Sequence, residues 1–168
     1  MGSLEVAAGP LGKAPFPIDA IVFEEDTYQI LSATNTVRET REHPVRTITE
    51  AFLVRPAKPG TVIVRGGCPL RLLAVVHDLN KNPSWREDWI AEALQNIFQE
   101  VERRNLRALA IPLLGAVHGS FSTVRFVEFL REVLDRTPLT SLKRLWLIAP
   151  DDGVMSAIGP SAGVRDVS

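Results

Sequence analysis

The sequence predicts an α/β domain in which a parallel sheet is covered on both faces. Three observations carry this expectation. Short, mainly apolar runs such as Ile18 to Phe23, Ala108 to Leu113 and Leu142 to Ala149 have strand length and suit strands buried on both sides. Two segments between them repeat apolar residues every three to four positions, the period of an amphipathic helix. Their alternation, strand, helix, strand, helix, strand, is the order that right-handed crossovers turn into a parallel sheet.

Taken in order, Met1 to Pro17 mixes Gly, Ala and Pro without a sustained period and is expected to be a flexible N-terminal arm. Ile18 to Phe23, bounded by Pro17 and by Glu24-Glu25-Asp26, is the first central strand, and Tyr28 to Leu31 continues as a second short one. Ser32 to Pro44 is polar and charged, a surface loop or a polar helix start. Pro44 suits the first turn of a helix, and Val45, Ile48 and Phe52 follow at helical spacing, which places a short helix over Pro44 to Val54. Pro56 and Pro59-Gly60 stop it.

Thr61 to Val64 and Leu72 to His77 are aliphatic and β-branched runs joined by a turn through Gly66-Gly67 and Pro69. After the polar loop Asn80-Lys81-Asn82-Pro83, Ser84 and Glu87 have the spacing of a capping box. Trp89/Ile90, Ala93/Leu94, Ile97/Phe98 and Val101 then form one apolar face of a helix ending near Asn105. Phe126/Val127, Leu130 and Val133/Leu134 mark another helix, ending before Pro138. Asp151 to Ser168 is small and polar and is expected to be a frayed tail.

Composition narrows the function. With 45% hydrophobic residues, 168 residues suffice for one domain with a substantial core. The 19 basic and 20 acidic side chains nearly cancel, so no global field draws the chain to nucleic acid or to an anionic membrane, and any anion site must be local. A single cysteine, Cys68, excludes an intramolecular disulfide and a Cys-rich zinc site and fits a reducing compartment, hence the cytoplasm. No apolar run approaches the roughly 20 residues of a spanning helix, nor does the N-terminus read as a signal peptide.

In open parallel sheets the usable crevice lies beyond the carboxyl ends of the strands. That edge collects the Pro112 to Ser122 turn, Glu24-Glu25-Asp26 and Pro150-Asp151-Asp152. The turn carries Gly115 and Gly119 and feeds a helix start, where free backbone N–H groups and the helix dipole can hold a phosphate without a lysine. The alternative reading of the same residues is that the glycines simply let the chain turn.

The run Ala110-Ile111-Pro112-Leu113-Leu114-Gly115-Ala116-Val117-His118-Gly119-Ser120-Phe121-Ser122 resembles the second ligand loop of macro domains, which wraps the diphosphate of ADP-ribose. Asp19-Ala20-Ile21-Val22 is similar to the first core strand of that family. Gly66-Gly67 followed by Val75-Val76-His77 resembles its Gly-Gly turn and Val-Ile-His strand, and Leu145 to Asp152 resembles its last strand. The resemblance covers residues 18–152 in order. It implies a three-layer α/β/α sandwich of macro-domain type, a mixed sheet with parallel central strands, flanked by an arm over 1–17 and a tail over 153–168.

The resemblance also implies a site. Gly115, Ala116, Val117, His118, Gly119 and Ser120 would supply phosphate contacts, flanked by Pro112, Leu114 and Phe121, while Ile21, Val22 and Phe23 would line the adenosine end. The departures lie elsewhere. Phe23-Glu24-Glu25-Asp26 stands where the family has Asn-Ala-Ala-Asn, Ser32 to His43 replaces its first glycine-rich loop, and the adenine-reading aspartate would fall near Gly12. The implied function is binding of ADP-ribose or a related nucleotide diphosphate, without catalytic residues, metal or cofactor. Two alternatives stay open: an interaction or assembly module with a decayed pocket, and a hydrolase of ADP-ribosyl or acyl-ADP-ribose substrates. Homo-oligomer formation is left open as well.

Other residues read as structural. His118 with Ser120 and Asp151 has the residue types of a triad, against which stand turn polarity and capping. His77 ends an apolar strand and reads as packed or hydrogen-bonded, Trp85 as core packing, and Cys68 as a buried or incidental thiol.

Overall fold

The computed structural model describes residues 3–31, 56–116 and 120–149, together with the backbone of 164–166. Among the described residues, seven strands form one sheet: β1 (Leu4–Gly9), β2 (Ala20–Asp26), β3 (Val62–Arg65), β4 (Leu70–His77), β5 (Ala108–Pro112), β6 (Arg144–Ile148) and β7 (Val164–Asp166). Two helices, α1 (Glu87–Arg103) and α2 (Thr123–Arg136), connect β4 to β5 and β5 to β6. The strand order is β3-β4-β2-β5-β6-β1-β7. Only the β3–β4 hairpin pairs antiparallel; every other neighbouring pair is parallel, so the sheet is mixed with parallel central strands.

Burial follows the period of two. On β2, Ala20 and Val22 point into the larger core, where Leu72, Ala74 and Val76 of β4, Leu109 and Ile111 of β5, and Leu145 and Leu147 of β6 meet Ile90, Leu94, Ile97 and Phe98 of α1 and Phe126 and Leu130 of α2. The opposite face holds a smaller cluster of Ala7, Phe16, Ala108, Ala110 and Trp146, with Ile18, Ile21 and Ile148 packed beside it. Asp19 pins the start of β2 to β5, since its Oδ2 accepts the N–H groups of Arg107 at 2.8 Å and Ala108 at 3.0 Å. Glu102 plays a similar part beyond α1, accepting backbone N–H groups from Thr140, Ser141 and Leu142 and the Thr140 hydroxyl ahead of β6.

Several expectations are corrected. Leu4–Gly9, read as part of a flexible arm, is a strand held between β6 and β7, with Val6 and Ala7 buried on opposite faces. Its small residues and lack of a long apolar run hide it locally, because its hydrogen-bond partners lie far along the chain. Val164–Asp166, within the expected tail, pairs with β1 for the same reason. Tyr28 to Leu31 is not a strand: Thr27 and Tyr28 turn, and Ile30 and Leu31 are helical. The capping box does not form, as α1 starts after Arg86 without a side-chain cap and the Ser84 hydroxyl turns to His77. The helix expected over Pro44 to Val54 and the segment Ser32 to His43 lie outside the described residues.

Candidate ligand-binding site

The carboxyl ends of β2, β4 and β5 meet at one edge of the sheet. Beyond β5 the chain turns back through Leu113, Leu114 and Gly115 before α2 begins. Gly115 has φ of +82°, and a Cβ there would lie 2.6 Å from Ile90 Cδ1 and 2.9 Å from Phe121 Cβ. Glycine is therefore required twice, by backbone conformation and by space. The turn closes on itself: Ala116 N–H donates to the Leu113 carbonyl at 3.0 Å and Phe121 N–H to the Gly115 carbonyl at 3.2 Å. Phe121 is buried below, its ring 5.0 Å from Trp85 and 5.9 Å from Phe129 between centroids. Ser122 then starts α2 without a side-chain cap, and no acidic residue occupies the first turn of that helix. Uncapped N–H groups at a helix start favour an anion.

The acidic triplet is built into this edge rather than exposed at it. Glu24, Glu25 and Asp26 are all buried. The Glu24 carboxylate accepts the Gly115 N–H through Oε1, and its Oε2 lies 3.1 Å from His77 Nε2. His77 Nδ1 in turn lies 2.9 Å from Ser84 Oγ. A carboxylate only accepts, so a neutral His77 facing one donates through Nε2 and accepts a hydrogen bond from the Ser84 hydroxyl at Nδ1. A continuous polar chain thus runs from Ser84 through His77 and Glu24 to the backbone of the turn. Glu25 Oε1 accepts the Asp26 N–H at 2.9 Å, beside a register shift in the β2–β4 pairing. Asp26 caps the helical residues that follow, accepting N–H groups from Tyr28 at 2.8 Å, Ile30 at 2.7 Å and Leu31 at 2.8 Å.

The expected site residues fall into three groups. Pro112, Leu114, Gly115 and Phe121 are buried and shape the turn from beneath; Val22 is buried in the larger core, and Ile21 is half-buried on the other face of the sheet. Phe23 and Ser120 are exposed and Ala116 is half-buried, with Phe23 37% exposed despite its size. Val117, His118 and Gly119 lie outside the described residues, as do Asp151 and Asp152. His77 is buried and hydrogen-bonded, and Trp85 packs against Phe121, both as expected. Cys68, expected to be a buried or incidental thiol, is free and exposed in the turn between β3 and β4, so of those two readings burial does not hold. Sequence reasoning missed the role of Glu24. The available signal was two titratable residues, Glu24 and His77, each continuing an otherwise apolar strand.

Among the described residues no group of three or more His, Cys, Asp or Glu side chains stands ready for a metal ion, and no helix is long and apolar enough to cross a membrane.

The fold defined by this strand order and by the turn over its carboxyl edge is the macro-domain fold, an α/β sandwich. No protein-family model and no curated protein sequence matches the chain; the likeness is to solved structures. The macrodomain of Thermus aquaticus DarG superposes with a TM-score of 0.65 at 20% identity, over 89% of this chain and 100% of that one. The Trypanosoma brucei macrodomain in complex with ADP-ribose gives 0.60 at 13% identity, over 91% and 67%. The Oceanobacillus iheyensis macrodomain with ADP gives 0.61 at 12%, over 91% and 86%.

Proposed function

We propose that this chain is a macro-type module that binds ADP-ribose or a related nucleotide diphosphate at the carboxyl edge of its sheet, without catalysing a reaction on it. The observation that carries the reading is the turn after β5, where a left-handed Gly115 leads into an uncapped α2 start at the place where parallel sheets accept ligands. Solved macrodomains of similar fold hold ADP-ribose or ADP, which supports the same ligand class here. Gly115, Ala116, Val117, His118, Gly119 and Ser120 are the proposed phosphate contacts and Phe23 the proposed apolar wall, with Pro112, Leu114 and Phe121 shaping the turn. Ile21 and Val22 support the strand from which Phe23 projects. A cytoplasmic setting fits the exposed free thiol of Cys68.

Calorimetry and thermal shift with ADP-ribose, ADP and AMP test this reading. A ligand that binds the folded state raises its stability by mass action. A raised melting temperature with ADP-ribose or ADP is the expected result, and no stabilisation by any of the three at millimolar concentration refutes it.

One observation favours a second reading, a protein-interaction module. Three donors of the turn are already used inside the chain, Gly115 N–H by Glu24, Ala116 N–H by Leu113 and Phe121 N–H by Gly115. Failure of all nucleotides to bind, together with a defined assembly state by light scattering, would support it. The hydrolase alternative requires turnover of an ADP-ribosylated or acyl-ADP-ribose substrate, and absence of turnover retires it.

A further inference from the structure

We infer that Glu24 sets the charge preference of the turn, because its carboxylate is a built-in competitor for a ligand phosphate at the Gly115 N–H. The inference rests on the reading that a nucleotide binds at this turn. A phosphate is held at such a turn by backbone N–H donors. Here Ala116 and Phe121 spend theirs on carbonyls of the turn, and Gly115 spends its own on Glu24 Oε1. A ligand oxygen that reaches Gly115 must displace a carboxylate or sit against one.

The carboxylate is not free to withdraw. Its second oxygen is held by His77 Nε2 at 3.1 Å, both side chains are about 1% exposed, and His77 is itself fixed by Ser84 at 2.9 Å. Burial also leaves the charge poorly screened, since neither bulk water nor salt surrounds it. The neighbouring carboxylates are engaged elsewhere, Asp26 by three backbone N–H groups beyond β2 and Glu25 by the N–H of Asp26. Glu24 therefore acts as a specificity residue, lowering affinity in proportion to the negative charge a ligand brings to the turn and leaving an uncharged nucleoside unaffected.

Glu24→Gln tests this, because glutamine keeps the size of the side chain and an oxygen acceptor for Gly115 while removing the charge. Calorimetry on the wild type and the variant, with ADP-ribose, ADP and adenosine, is expected to show at least tenfold tighter binding of the two diphosphates to the variant. Adenosine affinity should stay within about twofold. Equal diphosphate affinities in the two proteins, or weaker binding by the variant, overturn the inference while leaving the nucleotide reading intact. A parallel gain for adenosine overturns it too, because the pocket rather than its charge has then changed. No binding of any of the three to either protein overturns the nucleotide reading itself.

A melting curve establishes that the variant folds. Should it not fold, the wild type decides the question by amide NMR. Saturation with ADP must move the Gly115 N–H resonance if phosphate and carboxylate compete there, and an unmoved resonance overturns the inference.

Discussion

Replacing Gly115 by alanine should destabilise the protein far more than a surface glycine-to-alanine change. Two costs add. A left-handed backbone at φ of +82° costs a non-glycine residue about 1–2 kcal/mol. The new Cβ would also stand 2.9 Å from Phe121 Cβ and 2.6 Å from Ile90 Cδ1, inside van der Waals contact. Ile90 can give at its flexible end. Phe121 cannot do so easily, since its ring is packed between Trp85 and Phe129. Overpacking of this kind costs about 1–3 kcal/mol, so the sum is about 2–5 kcal/mol. For a chain of this size that corresponds to a melting temperature lower by on the order of 5–15 °C. Urea unfolding should show a reduced midpoint with an unchanged slope. Gly66→Ala is the internal control, because a Cβ there meets nothing within 4 Å, and it should stay within about 0.5 kcal/mol of the wild type. A Gly115→Ala variant as stable as the Gly66→Ala control would refute the reasoning. The result also governs how ligand data are interpreted, since a bulky residue at Gly115 weakens binding by disturbing the core beneath the turn as well as by blocking it.

Asp26→Ala removes one carboxylate that accepts three backbone N–H groups. It should cost about 1–2 kcal/mol in denaturant titration, and a loss below about 0.3 kcal/mol would contradict the capping role. Glu102→Gln tests the anchor ahead of β6. Burial works to raise the Glu102 carboxyl, but hydrogen bonds from the Thr140 side chain and from the Thr140, Leu142 and Ser141 backbone outweigh it and hold the group below the ordinary carboxylate range. A depressed folded-state value means that the stabilisation is present above the unfolded pKa of about 4.3 and disappears as pH falls through the folded value. The wild type should therefore exceed Glu102→Gln by about 1 kcal/mol at pH 7. The gap should close from about pH 5 downward, and a gap of constant size between pH 7 and pH 3 would exclude the ionised carboxylate as its source.

The parts of the fold that were legible in the sequence are those whose stability is local or strongly periodic. The apolar faces of α1 and α2 repeat at helical spacing, and β4, β5 and β6 are nearly continuous aliphatic runs, so each is recognisable from its own residues. β1 and β7 are short and owe their conformation to partners elsewhere in the sequence, which no local pattern reveals. The end of β2 was obscured for a different reason. Glu24-Glu25-Asp26 looks like the polar boundary of a strand, yet the strand runs through it because His77, Gly115 and the backbone after Asp26 satisfy the carboxylates. Ser84 was misread by the same logic. Its spacing to Glu87 suits a cap, but a buried histidine competes for the hydroxyl and wins it. The turn after β5 was legible as a feature of the sheet edge, through its glycine and the strand before it. Its internal occupancy was not, because the Glu24 to Gly115 bond joins residues that only folding brings together.

The position of β1 between β6 and β7 has a consequence for how the molecule is made. Glu5 pairs with Arg144 and Gly9 with Ile148, so β1 finds its partner in a strand made long after it, with β2 to β5 and both helices in between. Until then Val6 and Ala7 have no sheet to enter, and β6, once made, presents an open edge. The half of the sheet bearing the turn, β3-β4-β2-β5, assembles from a shorter span of chain, whereas the other half waits until β6 has been made.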